Sequence, residues 1–343
     1  MSQIAMTSDE RNAALKRLGY TEIESAFLAT TALHSGYVFR RQFAQFIGKS
    51  AGASVPVVFE KLLTKGHAKV IPLLHNTYLY HLAARPLYEA IGQGDNRNRR
   101  ERQPSTIKNK LMSLDFVLAH RKNRFLATEE EKLSHFGMIG GVDASKLPSR
   151  HYSSSSGGKT TDRYFVDKYP IFLPENESIS PVVSFCFVDE GLTTPSHFRT
   201  HLEQYRRLFL ALPEFHLVYV AAGPAAPRWA EKTFEAFMAK RENRGPGPGR
   251  VAALLDHFAA RRDFEARDLE SFDREKLARF RADRTRFSGT GMDELFEGWK
   301  VGGSAIVHAR FAPEFPSATM PKASFSTHLL EHNYDCFGTS RNL

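Results

Sequence analysis

Over the first ninety residues the apolar positions recur at helical spacing and then give way to alternation. Ser8 or Asp9 reads as the N-cap of a helix that runs to Leu18 and stops at Gly19. Thr21, followed three residues later by Glu24, is a capping box ahead of Ile23, Ala26, Phe27 and Leu33. Phe39, Phe43, Phe46 and Ile47 define one face of a third helix over 38–47, with Arg41 on the other face and Arg40 at its border. Gly48 ends it, a short turn follows, and Ser54 caps a fourth helix that carries Pro56 in its first turn and ends at Gly66. Strands over 68–74 and 77–82 flank the polar pair His75 and Asn76, and Pro72 marks the first as an edge. A short helix over 85–91 completes the segment. Helices followed directly by a two-stranded hairpin predict a winged helix.

Beyond this point the pattern is mixed. Residues 93–104 hold no large apolar side chain and read as a basic linker. Ser105 or Thr106 caps a helix with Ile107, Leu111, Leu114 and Val117. Residues 152–161 read as a Ser/Gly loop, 163–173 as a strand and 182–188 as a buried central strand. An amphipathic helix over 195–212, a strand over 215–221 and a helix over 229–240 follow, then helix-rich sequence over 251–287, a strand over 304–311 and an irregular end. The expected fold class is α+β or α/β: a winged helix-turn-helix, then a mixed α/β domain. The expected division is 1–92, a linker over 93–104, an α/β domain over 105–245, and a helical extension with a tail over 246–343.

Charge sharpens this picture. The chain of 343 residues carries a formal net charge of +9. Residues 1–124 hold 19 of the 47 Lys and Arg but only 9 of the 38 Asp and Glu, so the remainder is close to neutral. Concentrated positive charge suits a polyanion, although a solvated basic surface has the same composition. Two distant cysteines, Cys186 and Cys336, make neither a disulfide framework nor a zinc site. The absence of an apolar leader or a long apolar run leads to the expectation of a cytoplasmic protein without a membrane partner.

A winged helix presents the N-terminus of its recognition helix to base edges, while the wing and flanking residues hold phosphates. The candidates for contact with double-stranded DNA are therefore Arg40 and Arg41 before the turn, Lys49, Ser50 and Ser54 at the helix start, Lys61 and Lys65 along it, and Lys69, His75 and Asn76 in the wing. Arg97, Arg99 and Arg100 in the linker suit a phosphate backbone or a minor groove. The same domain has a protein-binding alternative. Three weaker patterns stand beside it. Ser155 to Thr160 imitates the end of a phosphate-binding loop, but the first glycine of that motif would fall on Ser153. His197 and His201 share a helical face, but Phe198 stands where a zinc protease needs glutamate. Asp167, Asp189 and Glu190 lie on or at the ends of predicted strands, where carboxylates hold Mg²⁺ in phosphodiester hydrolysis.

That layout resembles the restriction-endonuclease core, whose lysine two residues after the second acid is replaced here by Gly191 or Leu192. The strand Arg163, Tyr164, Phe165, Val166, Asp167, the run from Phe185 to Gly191, and the helix with Leu202, Tyr205 and Leu208 resemble the replication-relaxation family of mobile-element proteins. The resemblance implies a DNA-binding protein acting in replication, transfer or transcription. The expectation is a regulator that binds double-stranded DNA, as a homodimer and without a small-molecule cofactor, its nuclease-like domain inactive. The alternatives are a Mg²⁺-dependent endonuclease using Asp167, Asp189 and Glu190, and a protein-binding adaptor.

Overall fold

The structure, a computed structural model, describes residues 6–48, 52, 54–153, 160–167, 169–175, 182–223, 227–239, 248–268, 272–287, 290–311 and 321–337. Its fold is mixed α and β. The chain divides into two compact units, Met1–Phe237 with Met320–Leu343, and Met238–Thr319. This differs from the expected four-part division. Residues 1–92 and the sheet that follows belong to one unit, and the C-terminal segment returns to it.

In the first unit, α1 (Ser8–Arg17) starts on Thr7, one residue before the expected cap, because Thr7 and Glu10 form the reciprocal capping box. The Thr21 and Glu24 box opens α2 (Glu22–His34) as expected. The expected helix over 38–47 is shorter. Gly36, at φ +79, turns the chain into a buried strand β1 (Tyr37–Phe39), and α3 (Arg40–Ile47) begins after it. The apolar run Tyr37, Val38, Phe39 fits a strand buried on both faces as well as it fits a helix, so periodicity alone misplaced it. Gly48 closes α3 in the left-handed conformation.

Helix α4 (Ser54–Thr64) packs Val55, Val58, Phe59 and Leu62 inward. Strands β2 (Ala68–Pro72) and β3 (Tyr78–Leu82) form the hairpin, and β3 also pairs with β1, giving an antiparallel sheet of order β1-β3-β2 with β2 at the edge. At the tip His75 (φ 58) and Asn76 (φ 53) are both left-handed, and the Thr77 amide donates to the Leu74 carbonyl at 3.3 Å. That is a type I′ turn, whose twist matches the flanking strands. Helix α5 (Arg85–Ala90) closes the segment.

The expected linker is not one. Residues 97–99 form a 3-10 turn, and the buried Asn98 ties it to three elements. Its amide donates to the Ala32 and Leu33 carbonyls, both at 2.9 Å, its carbonyl bonds the His81 ring at 3.0 Å, and its side-chain oxygen accepts from Lys110. A Cβ on Gly36 would lie 2.4 Å from the Asn98 carbonyl oxygen, so this close approach as well as the positive φ demands glycine there.

Helix α6 (Pro104–Ala119) begins from Gln103 rather than from a Ser105 or Thr106 cap. It serves two cores. Leu114 and Leu118 join Phe27, Phe43, Phe59 and Tyr80, while Ile107, Leu111, Met112 and Phe116 join Tyr37, Leu79, Val188 and Val220. The N-terminal segment and the sheet are thereby joined through one helix.

After α6 come β4 (Arg124–Phe125), the helix α7 (Glu129–Gly140), not anticipated from sequence, and the antiparallel pair β5 (Ser149–Ser153) and β6 (Thr160–Tyr164). The expected strand over 163–173 is broken. Phe165, at φ 50, ends β6, and β7 (Ile171–Leu173) starts afresh. Next are β8 (Val183–Asp189), α8 (Pro195–Ala211), β9 (Glu214–Ala222) and α9 (Arg228–Ala239).

The last strand, β10 (Lys322–Leu330), falls where an irregular end was expected. It pairs parallel to β9, β9 pairs parallel to β8, and β7 and β4 continue antiparallel, in the order β10-β9-β8-β7-β4. One face meets α6; on the other, Phe198 lies on Phe187, Phe209 stacks on Phe215 at 4.2 Å, and Trp229 meets Tyr219 edge-on.

The second unit contains α10 (Pro248–Glu265), α11 (Arg274–Arg286), α12 (Thr290–Gly302) and α13 (Ser304–Phe311), around Leu254, Phe258, Phe287, Phe296 and Val307. The strand expected over 304–311 is thus a helix: of residues 304–310 only Val307 is buried, in a helical core, where a half-buried strand would bury alternate residues. Among the described residues, no helix is long and apolar enough to cross a membrane.

Candidate nucleic-acid interface and the acid cluster

The sequence candidates on α3, α4 and the hairpin separate into engaged and unengaged side chains. Arg41 is engaged: its guanidinium grips Asp115 of α6 in a two-pronged pair at 2.9 and 2.7 Å. Gln42 donates to the same carboxylate at 2.6 Å, and Tyr334, which follows β10, donates to its second oxygen. Burial of the guanidinium opposes its charge, but Asp115 outweighs this and holds Arg41 above the usual arginine range. Arg41 therefore binds α3 to α6.

Lys61 is also engaged. It turns back to α2, donating to Glu24 at 2.6 Å and lying 5.1 Å from the Tyr20 ring centre. Its ammonium is thereby committed to α2 and partly buried.

The outward set is smaller. Arg40 is exposed at the start of α3, its guanidinium laid over the Tyr80 ring and its Nε donating to Tyr80 Oη at 2.8 Å. That leaves the remaining N–H groups of its planar fork for another acceptor. Ser54 is exposed at the first position of α4, and Lys65 is exposed just past its end. Lys69 is exposed on β2 and meets the exposed Glu101 at 3.1 Å, a contact of little energetic weight. His75 and Asn76 are exposed at the hairpin tip. Lys49 and Ser50 lie outside the described residues.

Of the three arginines in the 3-10 region, Arg100 is exposed, Arg97 lies 5.2 Å from the Tyr152 ring centre, and Arg99 has its Nε buried without a hydrogen-bond partner. They flank a structural turn instead of trailing from a flexible arm.

The sequence reading passed over a further basic group. Arg121, in the loop between α6 and β4, donates to the Phe46 carbonyl at 2.6 Å and lies 4.6 Å from the Phe46 ring centre. It is therefore pinned at the last turn of α3, with Lys122 and Arg124 exposed next to it in sequence. Nothing local marks this site: Arg121 is 75 positions from Phe46 in sequence, and only the packing of α6 brings it there.

The acids meet a different fate. Asp189, buried at the end of β8, accepts from the Gly191 and Thr193 amides at 2.7 and 3.2 Å through one oxygen and from Tyr219 Oη at 2.7 Å through the other. Gly191, at φ +95, makes the turn that delivers those amides. Asp167, between β6 and β7, accepts from Tyr205 Oη at 2.9 Å and pairs with His201 Nδ1 at 3.3 Å. Burial pushes its carboxyl up, but His201, Lys132 and Tyr205 together outweigh this and hold it below the ordinary value. Lys132 is buried beside it, and its pKa is lowered by that burial against the pull of Asp167, Glu131 and Glu129.

Glu190 faces the same neighbourhood: Tyr169 is raised first by burial and then by Asp167, Glu190 and Asp189. His201 is buried against Tyr169, Phe187 and Tyr205 while His197 is exposed, so the two do not form a paired surface site. No group of three or more His, Cys, Asp or Glu among the described residues is arranged to hold a metal ion. Residues 154–159, which hold most of the phosphate-loop-like run, lie outside the described residues.

On the opposite sheet face, a cavity of about 380 Å³ opens beyond the end of α6, lined in part by His120, His216, His328 and Ser184. Burial lowers the His216 and His328 imidazoles, keeping them neutral at neutral pH.

Comparison with protein-family models, with curated proteins and with solved structures finds no match to this chain.

Proposed function

We propose that this protein binds double-stranded DNA, with α4 as the recognition helix of a winged helix and the β2–β3 hairpin as its wing. The observation that carries this reading is the arrangement itself. Two helices, α3 and α4, are separated by only six residues in sequence, and an antiparallel hairpin with a type I′ tip follows directly. The chain's excess of positive charge lies in this segment and in α6 with the loop after it. Ser54, Lys65, Lys69, His75, Asn76 and Arg40 are the contacts that support it.

In the α/β region α6, the antiparallel strands β4, β7 and β8 of one sheet, α8 and the parallel strand β9 support a nuclease-like scaffold, with α7 and the β5–β6 pair inserted between β4 and β7. The engagement of Asp189 by two amides and a tyrosine supports a structural role for that acid instead of Mg²⁺ ligation. We take the protein as a site-binding regulator of a mobile element, acting as a homodimer.

The test is duplex binding by fluorescence anisotropy across a salt series. A logarithmic affinity that falls steeply with salt, without Mg²⁺-dependent cleavage, is the expected result. Lack of salt-dependent binding would overturn the reading, and Mg²⁺-dependent cleavage lost in Asp189→Ala would replace it by the endonuclease.

One observation favours a second reading. Val57 on α4, Ile23 on α2 and Tyr78 on β3 are 56%, 55% and 52% exposed. Exposed apolar side chains on this scale suit a protein partner as well as thymine methyls. Capture of a protein in place of DNA by this segment would make the chain an adaptor.

A further inference from the structure

We infer that α4 is bracketed at both ends by cations, forming a clamp for the two phosphate backbones that border one major groove of B-form DNA. The inference rests on the reading of α4 as a recognition helix and adds residues from outside the N-terminal segment.

At the entry end, Arg121 is fixed by its bond to the Phe46 carbonyl and by its stacking on the Phe46 ring, on the last turn of α3. One acceptor uses one of its five N–H donors, and the others are available to a phosphate. Lys122 and Arg124 beside it are exposed, and neither forms an ion pair among the described residues. At the exit end, Lys65 follows the last residue of α4 and is exposed. Its ammonium lies close to Gly19, where a Cβ would approach it to 3.1 Å, and Arg17 is exposed in the last turn of α1 just before.

The separation follows from helix geometry. Eleven residues span about 16 Å at 1.5 Å per residue. A B-form major groove is about 12 Å wide, so cations beyond both ends of such a helix reach phosphates on opposite sides of the groove. In an A-form RNA duplex the major groove is deep and narrow, and the same bracket has no groove to enter. The clamp thus specifies both the residues that carry the salt dependence and the kind of duplex bound. It also gives the segment after α6 a reason to be basic, since Lys122 and Arg124 form no ion pair among the described residues.

The experiment uses the full chain and a short DNA duplex, with a matched RNA duplex as competitor. Two double variants are compared with the parent over a salt series, Lys122→Gln with Arg124→Gln at the entry end and Arg17→Gln with Lys65→Gln at the exit end. Each pair is expected to reduce the magnitude of the slope of log affinity against log salt by roughly 2 and to weaken binding about 10-fold at low salt, without a change in melting temperature. The RNA duplex is expected to compete at least about 10-fold more weakly than DNA. Parent binding with an unchanged slope in the entry-end variant would overturn the clamp and leave the proposed function standing. Equal competition by RNA would overturn it as well. Absence of duplex binding by the parent would remove the proposed function itself, and the clamp with it.

Discussion

The end of α4 and the end of β8 both gather polar side chains, and they use them in opposite ways. Around β8 every oxygen of Asp189 is taken by an amide or a hydroxyl from the protein, and Asp167 is held by Tyr205 and His201. Around α4 the hydroxyl of Ser54, the ammonium of Lys65 and the tip residues His75 and Asn76 face solvent. A buried polar group must be satisfied internally, because leaving it bare costs roughly 1–3 kcal/mol. A group held by the fold in this way contributes stability and has little capacity left for a ligand. An exposed one contributes little stability and keeps that capacity. The first region therefore has the character of scaffold, and the second is the one we propose as interface.

The sharpest way to break this comparison is at Asp115, the acceptor shared by Arg41, Gln42 and Tyr334. Asp115→Ala leaves a guanidinium and two further donors without their partner. The expected loss of stability is about 4 kcal/mol, measured by urea unfolding. A loss below about 1 kcal/mol would show that Arg41 is only loosely engaged and return it to the interface.

Arg40 and Arg41 also show how far the sequence was legible. They are adjacent and identical in type, and both were candidates; one is exposed over Tyr80 and the other is clamped by a residue 74 positions away. Lys61 and Lys65 divide in the same way, since Glu24 captures the first. Features set within four residues were mostly readable: the Thr21 box, the Gly48 stop and the break at His75 and Asn76, although the Thr7 box was placed one residue late. Features set by distant contacts were not. Strand β1 shares its apolar run with a plausible helix, the supposed linker is fastened by Asn98 to α2, β3 and α6, and β10 acquires its identity only by pairing with β9.

Acid sharpens the comparison from another side. Burial, aided by Lys132 and Arg11, pushes the His34 imidazole down to about 3. An unfolded chain protonates this histidine near pH 6.5 while the folded chain does not. Stability is therefore complete above about pH 6.5, falls as pH drops toward 3, and levels off below it. After discounting for partial exposure, about 3 kcal/mol is expected from this group. Urea midpoints between pH 7 and pH 4 check it, and His34→Gln is expected to flatten the profile. An unchanged profile in that variant would place the acid sensitivity elsewhere.

Asp189→Ala tests the scaffold directly. The variant leaves Tyr219 Oη buried and frees the Gly191 and Thr193 amides, for an expected loss of about 2 kcal/mol in thermal or urea unfolding. Duplex affinity and its salt slope are expected to stay at the parent value for the fraction that is folded.

The smallest effects lie on α4 itself, where two lysines four residues apart are predicted to behave as opposites. Lys61→Ala removes a partly buried pair with Glu24, whose side chain is only 10% exposed. It is expected to lower stability by about 1 kcal/mol and to leave the salt slope unchanged. Lys65→Ala is expected to change stability by less than about 0.5 kcal/mol and to reduce the slope by about 0.9, the signature of one lost phosphate contact. The reverse pattern, with Lys61 carrying the slope and Lys65 the stability, would mean that the face of α4 turned to solvent here is not the one that meets a polyanion. Engagement by the fold would then have failed as a guide to function at the position where it separates two residues of identical chemistry.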